Sequence, residues 1–349
     1  MFSTRTSTFE NLKNGAYSRQ WRVLAPLFLM TLTLLLSTLA CNAASDLVQP
    51  EATTSPSTSM QALAGASCPA VSNSIVQAAA AVESYQMPEQ EIRLVTYPIQ
   101  GSELGDPLYE AVPDDFHDQQ ADMSTQQAIW NYFAILIPEQ NREFLTEFSV
   151  LTDGKDNLLA AVAQSQNDPA DWRLEVDIAD AQDHENLTFT LIHEFGHLLT
   201  LNEQQVSPSM AVFNSQDDPA VRSHESAMCP NFFAHEGCSK RESYLNQFYQ
   251  RFWTDKYEEW FQVESIGDDY LYYTRLNEFY EKYQDQFVTE YAATNPVEDL
   301  AETWAYFILT PMPQGSTIAN QKVLFFYEYP ELVELRQEVI KNLCNAFPQ

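Results

Sequence analysis

Apolar residues recur at helical spacing along two separated stretches and alternate or cluster in short runs along several others. Between Asn186 and Leu201, the residues Leu187, Leu191, Ile192, Phe195, Leu198 and Leu199 fall in one arc of a helix. In the second stretch, Leu300, Trp304, Phe307 and Ile308 form an apolar back, and Asn295 followed by Pro296 supplies an N-cap and a first helical residue. Glu91–Tyr97 alternates in part like a strand. Glu147–Thr152, Leu158–Ala163 and Trp172–Ile178 read as further strands, with turns at Asp153-Gly154 and at Asn167-Asp168-Pro169. Thr125–Leu145 reads mainly as helix, kinked or restarted by Pro138. Ser243–Val263 and Asp269–Gln286 predict acidic, aromatic helices whose Tyr244, Phe248, Phe252, Trp253 and Trp260 belong in a core. Pro330–Asn345 reads as a closing helix.

The pattern predicts an α+β fold: a small mixed sheet with the 186–201 helix packed behind it, and a mainly helical C-terminal half. An extended peptide can pair along a free sheet edge. Either Leu158–Ala163 or Trp172–Ile178 is that edge, and the pattern does not choose between them.

The start of the chain has another character. Arg5, Lys13, Arg19 and Arg22 precede an uncharged apolar run, Val23–Ala40. A basic region, an apolar region and a small residue before Cys41 make residues 1–40 an export signal. Ser37-Thr38-Leu39-Ala40-Cys41 resembles a bacterial lipobox, which implies cleavage before Cys41 and acylation of its thiol. Cleavage further on, or an uncleaved anchor, are the alternatives. Residues 41–67, rich in Ser, Thr, Ala and Pro, read as a flexible tether. Residues 68–349 then form the folded domain, which is expected outside the cytoplasm and anchored to a bacterial cell membrane.

Cysteine usage fits that compartment. With Cys41 lipidated, Cys68, Cys229, Cys238 and Cys344 remain, an even number in an oxidising environment. Cys229 is expected to pair with Cys238 across a short loop, and Cys68 with Cys344 to close the domain. Removing residues 1–40 takes four positive charges and one negative, leaving 14 Lys+Arg against 48 Asp+Glu, a formal charge of −34. Such a surface repels polyanions and argues against nucleic acid as a partner.

The chemistry lies in His193-Glu194-Phe195-Gly196-His197. Two histidines four apart lie about 40° apart around a helix and one turn along it, so both imidazoles can reach one metal ion. Glu194, about 100° round from His193, is placed to deprotonate a metal-activated water rather than to ligate. Gly196 keeps the wall beside the histidines low, so that another backbone can approach.

Catalytic zinc usually has three protein ligands. On the 296–309 helix, Glu298 and Glu302 stand four apart on one face, in line with the small Ala305. Glu298 is the candidate third ligand. Glu302 is the candidate acceptor for a ligand histidine's N–H, which would fix its tautomer. A capping box with Asn295 is the bland account of Glu298, and Asp299 is a competing ligand. His224 and His235 also lie beyond the first motif, as isolated loop histidines.

His-Glu-Phe-Gly-His followed by a helix bearing Glu298-x-x-x-Glu302 resembles the gluzincin group of zinc metallopeptidases. Phe287–Glu302 is similar to zinc metallopeptidases of bacterial envelopes and, more distantly, to the lethal-factor type of peptidase. The resemblance implies a zincin-like fold holding one Zn²⁺ on His193, His197 and Glu298, with Glu194 as general base and Glu302 supporting a histidine. It also implies that Tyr291, seven residues before the ligand acid, assists the oxyanion. Protein or peptide is the implied substrate. The 101 residues from His197 to Glu298 are more than many gluzincins have, so residues 203–290 are expected to form a helical insertion or cap. A non-catalytic envelope lipoprotein using the same scaffold for binding is the alternative, though such a module has no need of Glu194. A closed structural zinc site would favour four ligands, often cysteines, and no Cys-x-x-Cys occurs.

Overall fold

The computed structural model describes residues 68–80, 91–154, 158–215 and 218–347. The expected export signal, the lipidation site Cys41 and the whole of the 41–67 tether lie outside the described residues. Among those described, no helix is long and apolar enough to cross a membrane.

Helix α1 (Pro69–Ala79) opens the described chain. A long strand β1 (Ile92–Gln100) follows, with two short strands, β2 (Glu103–Leu104) and β3 (Leu108–Tyr109), folding back on it antiparallel. A short helix α2 (His117–Ala121) leads into α3 (Met123–Leu136), whose N-cap Asp122 accepts the N–H of Thr125. Helix α3 stops before Pro138, because a residue preceding proline is pushed to extended backbone and Ile137 adopts it. One 3₁₀ turn, Glu139–Asn141, separates it from β4 (Leu145–Thr152). The helix expected to run on to Leu145 is therefore shorter, and the strand begins two residues earlier than its pattern suggested.

Strands β5 (Ala160–Gln164) and β6 (Trp172–Asp177) complete the main sheet, in the order β2-β1-β4-β6-β5. Strand β4 pairs parallel with β6 and the other pairs are antiparallel, so the sheet is small and mixed. Of the two edge candidates, the 172–178 segment is interior, with β4 on one side and β5 on the other. Its six residues are all buried. The free edge is β5.

Helix α4 (His184–Leu201) carries both histidines and begins at N-cap Asp183. Beyond it come β7 (Val206–Pro208), α5 (Met210–Phe213), α6 (Pro219–Met228), β8 (Phe233–Ala234) and β9 (Gly237–Ser239), the three strands forming their own sheet in the order β7-β9-β8. The stretch expected to form a helical insertion or cap thus carries a small three-stranded sheet. Cys229 and Cys238 are disulfide-bonded there, at the hairpin of β8 and β9. The predicted helix over 243–263 is two helices, α7 (Tyr244–Phe252) and α8 (Tyr257–Glu264), broken where Trp253 turns into the core. Helix α9 (Asp269–Lys282) ends in a 3₁₀ turn at Gln284–Gln286. The aromatic stripe is core material: Phe248, Phe252, Trp253 and Trp260 are buried, and Tyr244 packs on them partly exposed.

The C-terminal helices are α10 (Pro296–Leu309), α11 (Ile318–Phe326) and α12 (Pro330–Ala346). A disulfide joins Cys68, at the start of α1, to Cys344 in α12 across 276 residues. One continuous apolar cluster runs from the sheet through α3, α4, α10 and α12. The fold is α+β, with a mainly helical C-terminal half.

Candidate metal centre

Helices α4 and α10 cross at Gly196. A Cβ placed on that glycine would stand 3.2 Å from the Cα of Ala301 and 3.0 Å from Cδ1 of Trp304. Those distances are too tight for a side chain without displacement, so the glycine permits the close approach of the two backbones. The small residue facing it is Ala301, whereas Ala305 had been the expected one. Phe195 packs edge-on against Trp304, ring centroids 5.9 Å apart, and both are fully buried. Each such side chain contributes roughly 1.5–3 kcal/mol by leaving water, so the crossing is a strong contact.

That crossing brings three side chains to one point. Nε2 of His193 lies 3.1 Å from Nε2 of His197 and 3.1 Å from Oε2 of Glu298, and His197 Nε2 lies 3.2 Å from the same oxygen. All three residues are buried. On α4 the apolar face rests on the core, and α10 roofs the polar face.

His193 gives its other ring nitrogen, Nδ1, to Oε1 of Glu302 at 2.9 Å. Asn295 caps α10 by accepting the N–H groups of Val297 and Glu298, and the Glu298 side chain points to the histidines. Asp299, the rival ligand, is turned away. Its Oδ2 meets Nζ of Lys322 at 2.6 Å and accepts from Nε1 of Trp253 at 2.7 Å, entirely buried.

The carboxylate of Glu194 accepts the backbone N–H of Val162 in β5 at 2.9 Å. Tyr291 stands in a one-turn 3₁₀ helix just before α10, its ring centroid 5.9 Å from that of His193. It is 44 % exposed, so it marks the side from which solvent reaches the site.

The electrostatics follow from burial and proximity. Burial alone would lower the pKa of His193, but hydrogen bonds to Glu298 and Glu302 outweigh it and hold the value well above the ordinary one. Burial would raise that of Glu298; the two histidines reverse this and keep it far below the usual carboxylate range. Burial pushes Glu194 up to about 7, with His197 and His193 pulling the other way.

The donor set fits a zinc ion. With its Nδ1 proton given to Glu302, His193 offers an Nε2 lone pair once its second proton leaves. Nε2 of both histidines and Oε2 of Glu298, 3.1–3.2 Å apart, would then face a cation set among them. Zinc takes nitrogen and oxygen at about 2.0–2.2 Å, so donors on one face of its tetrahedron stand about 3.3–3.5 Å apart. His193, His197 and Glu298 could hold a metal; Asp153, Asp177 and Asp180 are the other such group among the described residues. His224 and His235 belong to neither.

Three contributors were not legible in the sequence: the amide of Val162, Lys322 and Thr289. Thr289 donates its hydroxyl to Oε2 of Glu302 at 2.6 Å. Only for Thr289 was there a local signal, a threonine three residues before an amide it could cap.

One protein family matches, described as "Putative zinc-binding metallo-peptidase", over residues 240–341. That span takes in Tyr291, Glu298 and Glu302 but not the two histidines. Neither the curated proteins nor the solved structures contain a match to the chain. The family match and the metal-capable cluster together support a zinc-binding metallopeptidase.

Proposed function

We propose that the chain is an exported zinc peptidase of the gluzincin type, distantly similar to the lethal-factor peptidases, which cleaves protein or peptide substrates. The observation that carries this is the meeting of His193, His197 and Glu298 at 3.1–3.2 Å beside the carboxylate of Glu194. His193, His197 and Glu298 would hold one Zn²⁺. Zinc, when bound, polarises the scissile carbonyl and makes nearby water more acidic.

Glu194 acts as general base. It removes a proton from the water that attacks the carbonyl carbon, then hands it to the departing amine nitrogen. The Val162 amide holds the carboxylate in place for both transfers. Tyr291 donates its hydroxyl to the developing oxyanion. Glu302 keeps His193 protonated at Nδ1.

Substrate lies along β5. Backbone groups of Ala161 and Ala163 face β6, so those of Ala160, Val162 and Gln164 face outward, and the Val162 amide reaches Glu194 from that side. An extended peptide adding to this edge would pass the base.

Export, followed by lipid attachment at Cys41, places the enzyme on the outer side of a bacterial membrane, with residues 41–67 as its tether and 68–349 as its catalytic domain. Two disulfides accord with an oxidising compartment.

The test is metal analysis and cleavage of an unfolded protein by the full chain, with Glu194→Gln and Glu298→Ala beside it. Glu194→Gln should keep zinc and lose turnover by 10²-fold or more, on the order expected for a general base. Glu298→Ala should lose zinc. Zinc-free parent protein, or full activity in Glu194→Gln, would reject the proposal.

A further inference from the structure

Both oxygens of Glu302 are engaged. Oε1 takes Nδ1–H of His193 at 2.9 Å, and Oε2 takes the hydroxyl of Thr289 at 2.6 Å. The Thr289 oxygen in turn accepts the backbone N–H of Ala292 at 3.1 Å. The polarity of this chain is determined link by link. An amide N–H can only donate, so the Thr289 oxygen is the acceptor at that end and its one proton is left for Glu302. A carboxylate that accepts at Oε2 remains an acceptor at Oε1. Nδ1 of His193 is therefore kept as a donor, and the proton that a bound cation would displace is the one on Nε2, which faces His197 and Glu298.

We propose that Thr289 is a positioning residue of the metal centre. Acting through Glu302, it sets the tautomer and ring orientation of His193. Its other bond, to Ala292, ties that setting to the 3₁₀ turn Tyr291–Ala293, so that the turn bearing Tyr291 and the ligand histidine keep one register. This rests on the zinc reading above, but concerns a residue that touches neither metal nor substrate. A hydroxyl is required at position 289: valine matches threonine in shape but can neither accept from Ala292 nor donate to Glu302.

The test is Zn²⁺ affinity of the full chain, measured by competition with a chromophoric chelator, with thermal unfolding of the metal-free proteins alongside. Thr289→Val should weaken zinc binding about 10–100-fold, the range seen when a ligand histidine loses its outer support, while Thr289→Ser stays within about threefold of the parent. Metal-free unfolding temperatures of parent and variants should agree. In a Glu302→Ala background, Thr289→Val should have no further effect, because its route to the metal is already cut.

Parental zinc affinity in Thr289→Val overturns the proposal. So does an undiminished loss in the Glu302→Ala background, which would put the effect elsewhere. Should Thr289→Val fail to fold, Thr289→Ala carries the same expectation, and failure of both to fold assigns Thr289 a purely structural role. A parent chain that binds no zinc sinks the metal centre itself. A zinc-binding parent with an indifferent Thr289→Val sinks only the role given to Thr289.

Discussion

The carboxylate of Glu194, on the metal-site helix, is held at 2.9 Å by the amide of Val162 on the free edge of the sheet. Helix and strand thus meet at the proposed base, and the same edge that would receive substrate orients the group that acts on it. A hydrogen bond to a charged group is worth about 1.5–3 kcal/mol. Val162→Pro removes this donor without breaking the ladder, since the Val162 amide points away from β6. Turnover should fall by about tenfold or more, with zinc content unchanged. Equal turnover in parent and variant would show that the amide does not hold the base.

Lys322 and Asp299 form an ion pair with neither side chain exposed. The Lys322 ammonium also lies 4.1 Å from the ring centroid of Phe287, beneath the segment leading to Tyr291. Burial raises the pKa of Asp299 even with Lys322 beside it. Removing one partner of such a pair strands a buried charge, at about 3–5 kcal/mol. Lys322→Met should therefore cost about that much in urea unfolding, and Lys322→Met with Asp299→Asn should recover most of it. Similar losses in the single and double variants would contradict the pairing.

Stability should depend on pH in a stated direction. Glu91, Asp177 and Glu264 are each raised to about 7, burial being the first cause in all three. A carboxyl raised on folding keeps its proton in the native state after the unfolded chain has released it. Its contribution is complete below the unfolded value, about 4 to 4.5, and is lost as pH climbs to about 7. The urea midpoint should fall across that window. Glu264→Gln, which still accepts from Tyr272, should flatten the fall and exceed the parent at pH about 8. A midpoint rising from pH 4.5 to 7 would contradict the assignment.

The Cys68–Cys344 disulfide closes almost the whole described chain. Helix α1, which it anchors, places Ile75 in the common core fully buried. Cys68→Ala with Cys344→Ala should lower stability by about 2–5 kcal/mol, as for native bridges in secreted domains, and loosen α1 first in hydrogen exchange. Unchanged exchange in α1 would mean that packing alone retains it.

Much of the fold could be read from pattern, and the misses have physical causes. The 3.6-residue spacing of Leu187, Leu191, Phe195 and Leu198 makes a helix, and Asn295-Pro296 starts another, because capping and periodicity are properties of neighbours in the chain. The break between α7 and α8 was not visible: Trp253 leaves helical geometry for a place among Trp260, Phe279 and Phe287, contacts that lie up to 34 residues away. The edge strand was undecided for the same reason, since strand order is not encoded in any one strand. Glu298 and Asp299 are about 100° apart on their helix, and only the rotation of α10 against α4 and α11 sends one to the histidines and the other to Lys322.

By itself, then, the sequence determined which helices form and that His193, Glu194 and His197 share neighbouring turns, because the backbone of a helix imposes that spacing. The cysteine pairs apart, contacts between separate segments were decided by tertiary packing: Glu298 over Asp299, the Val162 amide on the base, and Thr289 behind Glu302. Those contacts depend on Gly196 letting α10 settle against α4, and no local rule states where that crossing falls.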